Sequence, residues 1–550
     1  MEFSSLEEKI AHARKTSTAL PELKHDFLSL LKRGMGSDKI FLIYYDAADN
    51  RKEISYRNFY AAVSDTARFY QSKGLKPGDK IATISHNHWH TVVQYFAAWF
   101  CGLVVVPVSL GEDDNRISYI LKNAEVKLAL VKDEYAERIN SIIESSDHLN
   151  RIEVVVCDDN IECFSKSEGE LKEAVINSES EALIVFTSGT TGNPKGVVLT
   201  QRNLLEDARS ISKWHNIDVQ TRMMCVLPIH HVNGTVVTMI TPFFAGGSSV
   251  LNQKFSPGKF FQIIWNEEVH IVSVVPTLLQ YLNSYYEEKK HPDAASLRHI
   301  ICGAGPLTIK VAQTFEEKFS IPIIHGYGLS ETTCYSCFVP ANQPKKEHEK
   351  WMRNFGYPSI GVAIPANEMD IQTEDGKSVK EGDRGEIVIR GVNVMKGYFN
   401  NREANEYAFK NGWFRSGDEG FFQLDEQGNP YFFITGRLKE LIIRGGINLA
   451  PLEIDEVINK APGVKAGIAV GFENDWYGEE VGAFVQLKEG AEKNEQAILE
   501  HCLKHLPFSK APKVVVFGEE LPVTSTGKYQ RLKVAHLFEK WKGVQFKEGN

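Results

Sequence analysis

Short apolar runs alternate with helix-like segments over most of the chain, from about residue 54 to residue 430. The runs include IATI, VVVPV, LALV, ALIVF, MMCVLPI and HIVSVVP, and one typical intervening segment is YRNFYAAVSDTARFYQSKG. Strands buried on both faces are continuously apolar, and parallel strands need a crossover helix, so this rhythm predicts βαβ units and mostly parallel sheets. The 550 residues also exceed what one hydrophobic core supports, which predicts about three to four structural modules.

The pattern changes near residue 385. Short runs such as GEIVIRG, GWFRSGD and YFFITGR are separated by glycine and aspartate, which is typical of antiparallel strands joined by tight turns. After Gly436 the chain reads as strand, helix, strand, helix, which predicts a compact final domain and a boundary at 436–439. The charged segment QPKKEHEKWMRN, residues 343–354, is predicted to be a solvated loop.

Charge and the chain termini limit the partners and the compartment. The net charge is −9 and no dense Lys/Arg tract is present, which argues against nucleic acid as a partner. The start has no apolar signal core and the end is not an SKL address, so we expect a cytoplasmic protein. The longest apolar stretch, Val92 to Val108, contains Gln94, Gly102 and Pro107. It therefore favours a buried helix, turn and strand over an integral membrane segment.

Eight cysteines are spread through the chain without a dense framework, as in a reducing compartment. Cys334 and Cys337 form a single CxxC with no second pair and no nearby histidine set. Core or loop cysteines are therefore a better interpretation than a metal or redox centre.

The segment FTSGTTGNPKGV, residues 186–197, follows an apolar run and is rich in Gly, Ser and Thr before a proline and a lysine. Such a loop can turn backbone N–H groups, hydroxyls and an ammonium group toward a polyphosphate, although a flexible surface turn has a similar composition. Pro194 stands five residues after Gly189, so the spacing is not that of a Walker A loop. The chain also has no GxGxxG after a strand and no GxSxG.

The order of residues in this segment closely resembles the phosphate loop of the adenylate-forming superfamily of acyl- and aryl-CoA synthetases, firefly-type luciferases and peptide-synthetase adenylation domains. Four more segments resemble family motifs in the family's order: HGYGLSETT (325–333), GWFRSGDEG (412–420), GRLKELIIRGG (436–446) and PVTSTGK (522–528). ISYRNFY, GLKPGDKIA, Asn87 and GLVVVPV resemble its amino-terminal region, so the resemblance covers essentially the whole chain.

The resemblance implies an α/β fold with two domains. Residues 1–436 would form a large domain that binds AMP and the acyl group, with two mostly parallel α/β subdomains and a small distorted β-barrel. Residues 437–550 would form a small, mobile α+β domain that carries the adenylation lysine.

The resemblance also implies ATP, Mg²⁺ and coenzyme A as cofactors and assigns roles to single residues. Tyr327 would stack on adenine, Glu331 would serve Mg²⁺, and Asp418 would take the ribose hydroxyls. The residues implied in catalysis are Lys528, Glu331, Thr187 and His231. The residues implied in binding nucleotide and CoA are Thr187, Ser188, Gly189, Thr190, Thr191, Gly192, Lys195, Gly303, Ala304, Gly305, His325, Gly326, Tyr327, Gly328, Thr332, Asp418, Arg437, Lys439, Gly445 and Gly446.

The implied reaction has two steps. The carboxylate of an organic acid attacks the α-phosphorus of ATP and pyrophosphate leaves, with Lys528 neutralising charge. In the family the small domain then swings about a hinge at the position of Lys439. This movement brings the face with Gly445 and Gly446 toward the active site for thioester formation with CoA.

The residues expected to form the wall of the acyl site are uncharged. His231, in PIHHVNG, resembles the family's gate to the acyl site, although a histidine satisfied near a strand end is an alternative interpretation. No arginine occurs between Met223 and Leu297, and no acidic residue occurs from Ile229 to Asn266. The predicted wall consists of Val232, Val236, Val237, Val274, Val275 and Pro276 beside Gly303. An uncharged aliphatic or aromatic acid is therefore favoured.

Three alternatives remain open from the sequence. A ligase that loads the phosphopantetheine arm of an acyl carrier protein would form the same acyl adenylate. A luciferase-like oxidase would oxidise that adenylate. A catalytically inactive nucleotide-binding protein is disfavoured by the joint presence of Lys195, Glu331, Asp418, Arg437 and Lys528.

Overall fold

A computed structural model describes residues 3–16, 20, 22–158, 170–187, 194–286, 294–523 and 529–547. The strands of its first half are β1 (Ile40–Tyr45), β2 (Arg51–Ser55), β3 (Lys80–Ile84), β4 (Val104–Val108), β5 (Val126–Lys132), β6 (Glu153–Cys157), β7 (Glu181–Thr187), β8 (Lys195–Thr200), β9 (Arg222–Cys225), β10 (Ser248–Asn252) and β11 (Ile271–Val274). The strands of its second half are β12 (His299–Cys302), β13 (Ile323–Tyr327), β14 (Cys337–Phe338), β15 (Val362–Ala363), β16 (Asn367–Gln372), β17 (Gly385–Gly391), β18 (Gly397–Tyr398), β19 (Phe414–Leu424), β20 (Pro430–Arg437), β21 (Ile442–Arg444), β22 (Ile447–Leu449), β23 (Val464–Asn474), β24 (Gly478–Leu487) and β25 (Val514–Phe517).

Helices connect most of these strands. They are α1 (Leu6–Ala13), α2 (Phe27–Gly34), α3 (Tyr56–Ser72), α4 (Trp89–Phe100), α5 (Asp114–Asn123), α6 (Ala136–Glu144), α7 (Gln201–Trp214), α8 (Thr241–Ala245), α9 (Pro257–Asn266), α10 (Pro276–Tyr285), α11 (Ile309–Phe319), α12 (Lys345–Arg353), α13 (Arg402–Ala408), α14 (Pro451–Ile458) and α15 (Glu495–His505). A π-helix spans Asn233–Ile240 directly before α8, and short 3₁₀ turns include Ser330–Thr332 and Leu438–Glu440.

Two large sheets confirm the predicted parallel α/β architecture. One has the order β18-β8-β7-β4-β3-β5-β6, and its central strands β7, β4, β3, β5 and β6 pair in parallel. The other has the order β15-β14-β13-β12-β11-β9-β10-β1-β2, with parallel pairing from β13 to β1. Since parallel strands present their carboxyl ends at one edge, each sheet gathers the residues that follow its strands.

The most apolar stretch of the sequence forms the centre of the core. Every residue of α4 is buried, and the helix is followed by a turn and by the fully buried β4, as predicted. The side chains of α4 pack in one cluster with residues of both large sheets, such as Leu183 and Leu251. Among the helices that the structure describes, none is both long and apolar enough to cross a membrane.

The second half of the chain contains two further sheets. An antiparallel sheet, β16-β17-β19-β20, lies where the sequence predicts a β-rich layer, and an isolated bridge joins Gly361 to Phe432 of β20. The carboxy-terminal region forms the sheet β22-β21-β24-β23, with β25 on β24 and with α14 and α15 packed against it. This arrangement agrees with the predicted α+β texture.

Residues 343–354 are not the solvated loop that the charge pattern predicts. They contain the helix α12, in which His348, Trp351 and Met352 are buried. Trp351 stacks on Tyr431 of β20 with 3.8 Å between ring centroids, and His348 lies 2.7 Å from Glu316 of α11. The helix forms because its few non-charged positions share one face and gain this packing, which outweighs the high charge of the other face.

The predicted domain boundary at 436–437 falls at the carboxyl end of β20, directly before the 3₁₀ turn Leu438–Glu440. Residues on either side of it contact each other, since Glu456 of α14 accepts a hydrogen bond of 2.7 Å from the N–H of Ile309 at the start of α11. The division into residues 1–436 and 437–550 stays a prediction. Cys334 and Cys337 are both buried.

Candidate active site

The two glycine motifs predicted to hold the nucleotide lie side by side. Gly303, Ala304 and Gly305 directly follow β12, and His325, Gly326 and Tyr327 form the end of β13, which pairs with β12 in parallel. A Cβ atom on Gly303 would lie 2.6 Å from the Tyr335 hydroxyl oxygen and 2.7 Å from the carbonyl oxygen of Gly326. Such contacts are too short for any side chain, so the glycine allows the neighbouring strand end and Tyr335 to approach the backbone.

A buried acidic group lies beside the end of β13. The Tyr327 hydroxyl donates a hydrogen bond of 2.5 Å to Asp418 Oδ2, and Asp418 is 1% exposed. Arg437 Nε forms an ion pair of 2.8 Å with Asp418 Oδ1. The antiparallel register of β19 and β20 pairs Asp418 with Arg437, which explains why motifs 19 residues apart in the chain meet.

The Asp418 carboxylate can also bind a ligand. Asp418 Oδ1 receives no aligned hydrogen bond from the described residues, although it is buried. Burial and the Asp418 charge hold the pKa of Tyr327 well above its usual value, so its hydroxyl remains a donor. Although Oδ1 is paired with Arg437, a carboxylate oxygen can accept more than one hydrogen bond, so Asp418 can still accept from the two hydroxyls of a ribose.

Glu331 occupies the 3₁₀ turn that follows β13 and is half-buried. Its Oε1 accepts a hydrogen bond of 2.9 Å from the Tyr398 hydroxyl, and its backbone carbonyl accepts one of 2.8 Å from the N–H of Met395. The backbone is thus fixed, while the other carboxylate oxygen, Oε2, accepts no hydrogen bond from the described residues and can meet a hard divalent cation.

Two other predicted binding residues have protein partners. The Thr332 hydroxyl accepts hydrogen bonds from the Leu329 N–H at 3.1 Å and from the Ser336 hydroxyl at 2.9 Å, so it holds the turn of Glu331 in shape. His325 Nδ1 lies 2.8 Å from the carbonyl oxygen of Ser359, and burial lowers its pKa to about 4. His325 is therefore neutral at physiological pH and supports the strand end.

The two ends of the predicted phosphate loop meet in one strand pair. Thr187, the last residue of β7, is paired with Lys195, the first residue of β8. The Lys195 ammonium nitrogen lies 5.0 Å from the centroid of the Tyr398 ring. The other predicted residues of this loop, Ser188, Gly189, Thr190, Thr191 and Gly192, lie outside the described residues.

The residues predicted for the second step lie in the small carboxy-terminal region. Lys439 is exposed on the 3₁₀ turn after β20. Gly445 and Gly446 form the exposed turn between β21 and β22 with φ values of 57° and 81°, a left-handed conformation that favours glycine. Lys528 lies outside the described residues, and its role stays a prediction.

The predicted acyl wall is only partly in place. Val236 and Val237 of the π-helix are buried in the same cluster as Val232, whereas Val274 packs in a separate cluster. Because side chains alternate along a strand, Ser273 faces the π-helix and Val274 faces away from it. The prediction is therefore wrong at Val274.

A polar ladder that the sequence did not indicate lies beside Gly303. The Ser273 hydroxyl donates a hydrogen bond of 2.7 Å to Asn233 Oδ1, and Asn233 Nδ2 donates one of 3.2 Å to the Tyr335 hydroxyl. All three side chains are buried and uncharged. His231, the predicted gate, is half-buried two residues before the π-helix, with its ring centroid 4.4 Å from that of His230.

Tyr398 is the other residue that sequence reasoning missed, since it touches both Lys195 and Glu331. The sequence contains one indication of its role. Tyr398 lies in VMKGYFNN, between two predicted motifs, where a tyrosine that follows a glycine outside any apolar run is not expected in the core.

The chain is similar to known proteins over most of its length. A family model described as AMP-binding enzyme matches residues 33–399, and one described as AMP-binding enzyme C-terminal domain matches residues 453–528. The chain is 32% identical to a sulfoacetate–CoA ligase of Cupriavidus necator over 90% of this chain and 94% of that protein. It is 28% identical to a long-chain-fatty-acid–CoA ligase of Bacillus subtilis over 90% and 91% of the two chains. The crystal structure of ATP-bound MatB from Rhodopseudomonas palustris superposes with a TM-score of 0.82, 26% identity and coverage of 93% and 98%.

Proposed function

The chain belongs to the AMP-binding enzyme family, and we propose that it activates a carboxylic acid with an uncharged fatty or aromatic tail and transfers it to coenzyme A. It is an AMP-forming acid–CoA ligase, and it uses ATP, Mg²⁺ and CoA. The observation that carries the site assignment is the contact of Tyr327, Asp418 and Arg437 beside the glycine motif of β12, with Glu331 on the next turn.

In the first step, a carboxylate oxygen of the acid attacks the α-phosphorus of ATP and the bond to pyrophosphate breaks. A carboxylate is a poor electrophile at carbon, so it must first be joined to a good leaving group, and AMP serves as that group. The reaction needs in-line positioning and neutralisation of phosphate charge more than proton transfer. Tyr327, Asp418 and Arg437 would fix the nucleoside, while Lys195 and Lys528 would neutralise the phosphates.

Bound Mg²⁺ would offset the charge of the phosphate oxygens, and Glu331 is a carboxylate ligand of the type it prefers. In the second step, the CoA thiolate attacks the acyl carbon and AMP leaves with the bridging oxygen. We assign Lys439 to the hinge between these steps and the turn of Gly445 and Gly446 to the face that receives the thiol. Thr187 and the residues 188–192 would contact the phosphates of ATP.

The uncharged ladder of Ser273, Asn233 and Tyr335 supports a neutral acid tail. Among the described residues that these groups contact, none is a lysine or an arginine. A second carboxylate or a sulfonate buried there would have no cationic partner among them, and an unpaired buried charge costs several kcal/mol. The named substrates of the two relatives differ in this respect, because sulfoacetate has an anionic tail and a long-chain fatty acid does not.

An acid panel scored by pyrophosphate release tests the proposal. Acetate, hexanoate, palmitate, benzoate, sulfoacetate and oxalate are each supplied with ATP and Mg²⁺, alone, with CoA, or with a carrier protein bearing phosphopantetheine. We expect the highest rate with a neutral acid and a further increase with CoA. A preparation of Glu331→Gln is the blank for contaminating ATPase, because it removes the proposed metal ligand but keeps the side-chain shape.

Two results would contradict the proposal. A preference for sulfoacetate or oxalate would show that the tail is anionic. Turnover that rises with the carrier protein and not with CoA would show that the thiol is that of a carrier protein.

A further inference from the structure

A short segment, residues 395–399, connects the phosphate-loop strand to the turn of Glu331. The N–H groups of Lys396 and Phe399 donate hydrogen bonds of 2.9 Å and 2.7 Å to carbonyl oxygens of β8, and Met395 is bonded to Glu331. Within the segment, β18 is the edge strand that pairs with β8 in antiparallel register. These bonds fix the Tyr398 backbone relative to both Lys195 and Glu331.

The backbone of Tyr398 is also held from its other side. Asn405 Oδ1, on α13, accepts a hydrogen bond of 2.7 Å from the Tyr398 N–H, and Asn405 Nδ2 donates one of 3.0 Å to the Tyr398 carbonyl oxygen. The tyrosine therefore has a defined direction, and its side chain does not depend on the ligand for its placement.

The side chain of Tyr398 separates two opposite charges. Its hydroxyl donates to Glu331 Oε1 at 2.9 Å, and its ring lies 5.0 Å from the Lys195 ammonium nitrogen, within the range of a cation–π contact. A tyrosine hydroxyl can donate one hydrogen bond, and here that bond goes to the Glu331 carboxylate. Within the described ranges, no ion pair within 4.0 Å involves Lys195 or Glu331, and the nearby cation Arg437 is paired with Asp418 instead.

A direct Lys195–Glu331 ion pair would satisfy both groups and leave neither for the ligand. Lys195 is proposed to bind phosphate and Glu331 to bind a cation. A neutral group between them prevents the two side chains from pairing with each other. Tyrosine meets this need because its ring attracts the ammonium group while its hydroxyl orients the carboxylate.

We propose that Tyr398 is a positioning residue of the adenylation site, which holds Glu331 and Lys195 apart and directs each toward its ligand. The inference rests on the proposed assignment of Glu331 to Mg²⁺ and of Lys195 to the ATP phosphates. Substitution of Tyr398 is expected to change the Mg²⁺ dependence of ATP binding separately from the affinity for ATP without metal.

Calorimetric titration of the full-length protein with ATP, once with Mg²⁺ and once with EDTA, tests this role. Tyr398→Phe keeps the ring and loses the hydroxyl, so we expect ATP binding in EDTA within twofold of the unmodified protein and binding in Mg²⁺ weakened about tenfold. Tyr398→Leu loses both contacts and lets Lys195 reach Glu331, so binding should weaken in both buffers.

Activity gives a second readout. The Mg²⁺ concentration for half-maximal pyrophosphate release should rise about tenfold in Tyr398→Phe, and excess Mg²⁺ should restore its rate. Conversion of a supplied acyl adenylate to thioester should not change, because this step involves no polyphosphate. Tyr407→Phe, on the exposed face of α13, is the matched control and should equal the unmodified protein.

Equal losses of Tyr398→Phe in Mg²⁺ and in EDTA, or an unchanged affinity in both, would overturn the inference. Thermal unfolding of each variant separates a folding defect from a local one. If the unmodified protein itself binds no ATP in either buffer, the proposed function fails, which is a different result from a variant that loses only its metal dependence.

Discussion

Gly303 and Gly328 are glycines that other parts of the chain approach too closely for a side chain to fit. A Cβ atom on Gly328 would fall 1.9 Å from the carbonyl oxygen of Cys334, and one on Gly303 would meet the Tyr335 hydroxyl. Any side chain at these positions would displace the strand ends that present Tyr327 and Glu331. At the scale of single residues, the site therefore depends on small residues that allow close approach as much as on the charged groups themselves.

Asp418→Asn tests the proposed nucleoside contact. The amide keeps the size of the side chain but removes the anion that pairs with Arg437 and accepts from Tyr327. We expect kcat/KM for ATP to fall about 10²-fold, the usual effect of removing one charged contact in such a site. Pyrophosphate release at varied ATP measures this fall.

The control is Asp383→Asn, which makes the same chemical change at an exposed position between β16 and β17. It should retain the activity of the unmodified protein. A similar loss in both variants, or no loss in Asp418→Asn, would contradict the role of Asp418.

Residues inside the five motifs could be predicted from the sequence, because each motif fixes a local order of residue types. Contacts between motifs could be predicted only as far as the resemblance carried them. Tyr335 and Tyr398 were missed for this reason, since each contacts partners about 70 to 200 residues away that only the folded chain brings near. Val274 was assigned to the acyl wall because the pattern fixes that β11 is buried but not which face meets the π-helix.

At the scale of helices and strands, the alternation of apolar runs predicted the parallel sheets well, because continuous burial leaves a clear pattern. The helix α12 was missed because its sequence is mostly charged, and its stability comes from Trp351 and Tyr431 packing across 80 residues of chain. The docking of α14 on α11 was also unpredictable. It depends on Glu456, which accepts a hydrogen bond from the first N–H of α11.

Titration of Glu456 is expected to make the unfolding free energy depend on pH. Burial raises its pKa from the usual 4.5 to about 7, while Lys460 opposes and Asp455 adds to the rise. The folded protein then binds more protons than the unfolded chain between these two values, so its unfolding free energy falls as pH rises through that window, by up to about 3 kcal/mol.

Glu456→Gln removes the titrating group but keeps an oxygen acceptor for Ile309. We expect the variant to gain thermal stability relative to the unmodified protein at pH 8 and to match it more closely at pH 5. Melting temperatures at the two pH values measure this difference, with the exposed Glu489→Gln as the control. An equal difference at both pH values would show that Glu456 does not titrate in this range.

In the whole molecule, the residues proposed for adenylation come from two regions of the chain. The residues proposed to bind the nucleotide lie on the large sheets and on β19 and β20, whereas the lysine proposed for adenylation, Lys528, belongs to the carboxy-terminal region. Lys528→Ala should therefore abolish acyl-adenylate formation and leave the conversion of a supplied acyl adenylate to thioester intact. Rates of the two half-reactions, measured separately, test this division, and an equal fall in both would contradict it.

As an AMP-forming ligase, the protein passes the acid through an acyl adenylate on its way to CoA. The most direct test supplies the preferred acid of the panel with ¹⁸O in its carboxylate, together with ATP, Mg²⁺ and CoA, and analyses the products by mass spectrometry. Because the attacking oxygen remains on the α-phosphorus when the thiol displaces AMP, we expect one ¹⁸O atom in AMP and none in pyrophosphate. Label in pyrophosphate or inorganic phosphate, or unlabelled AMP, would contradict this route.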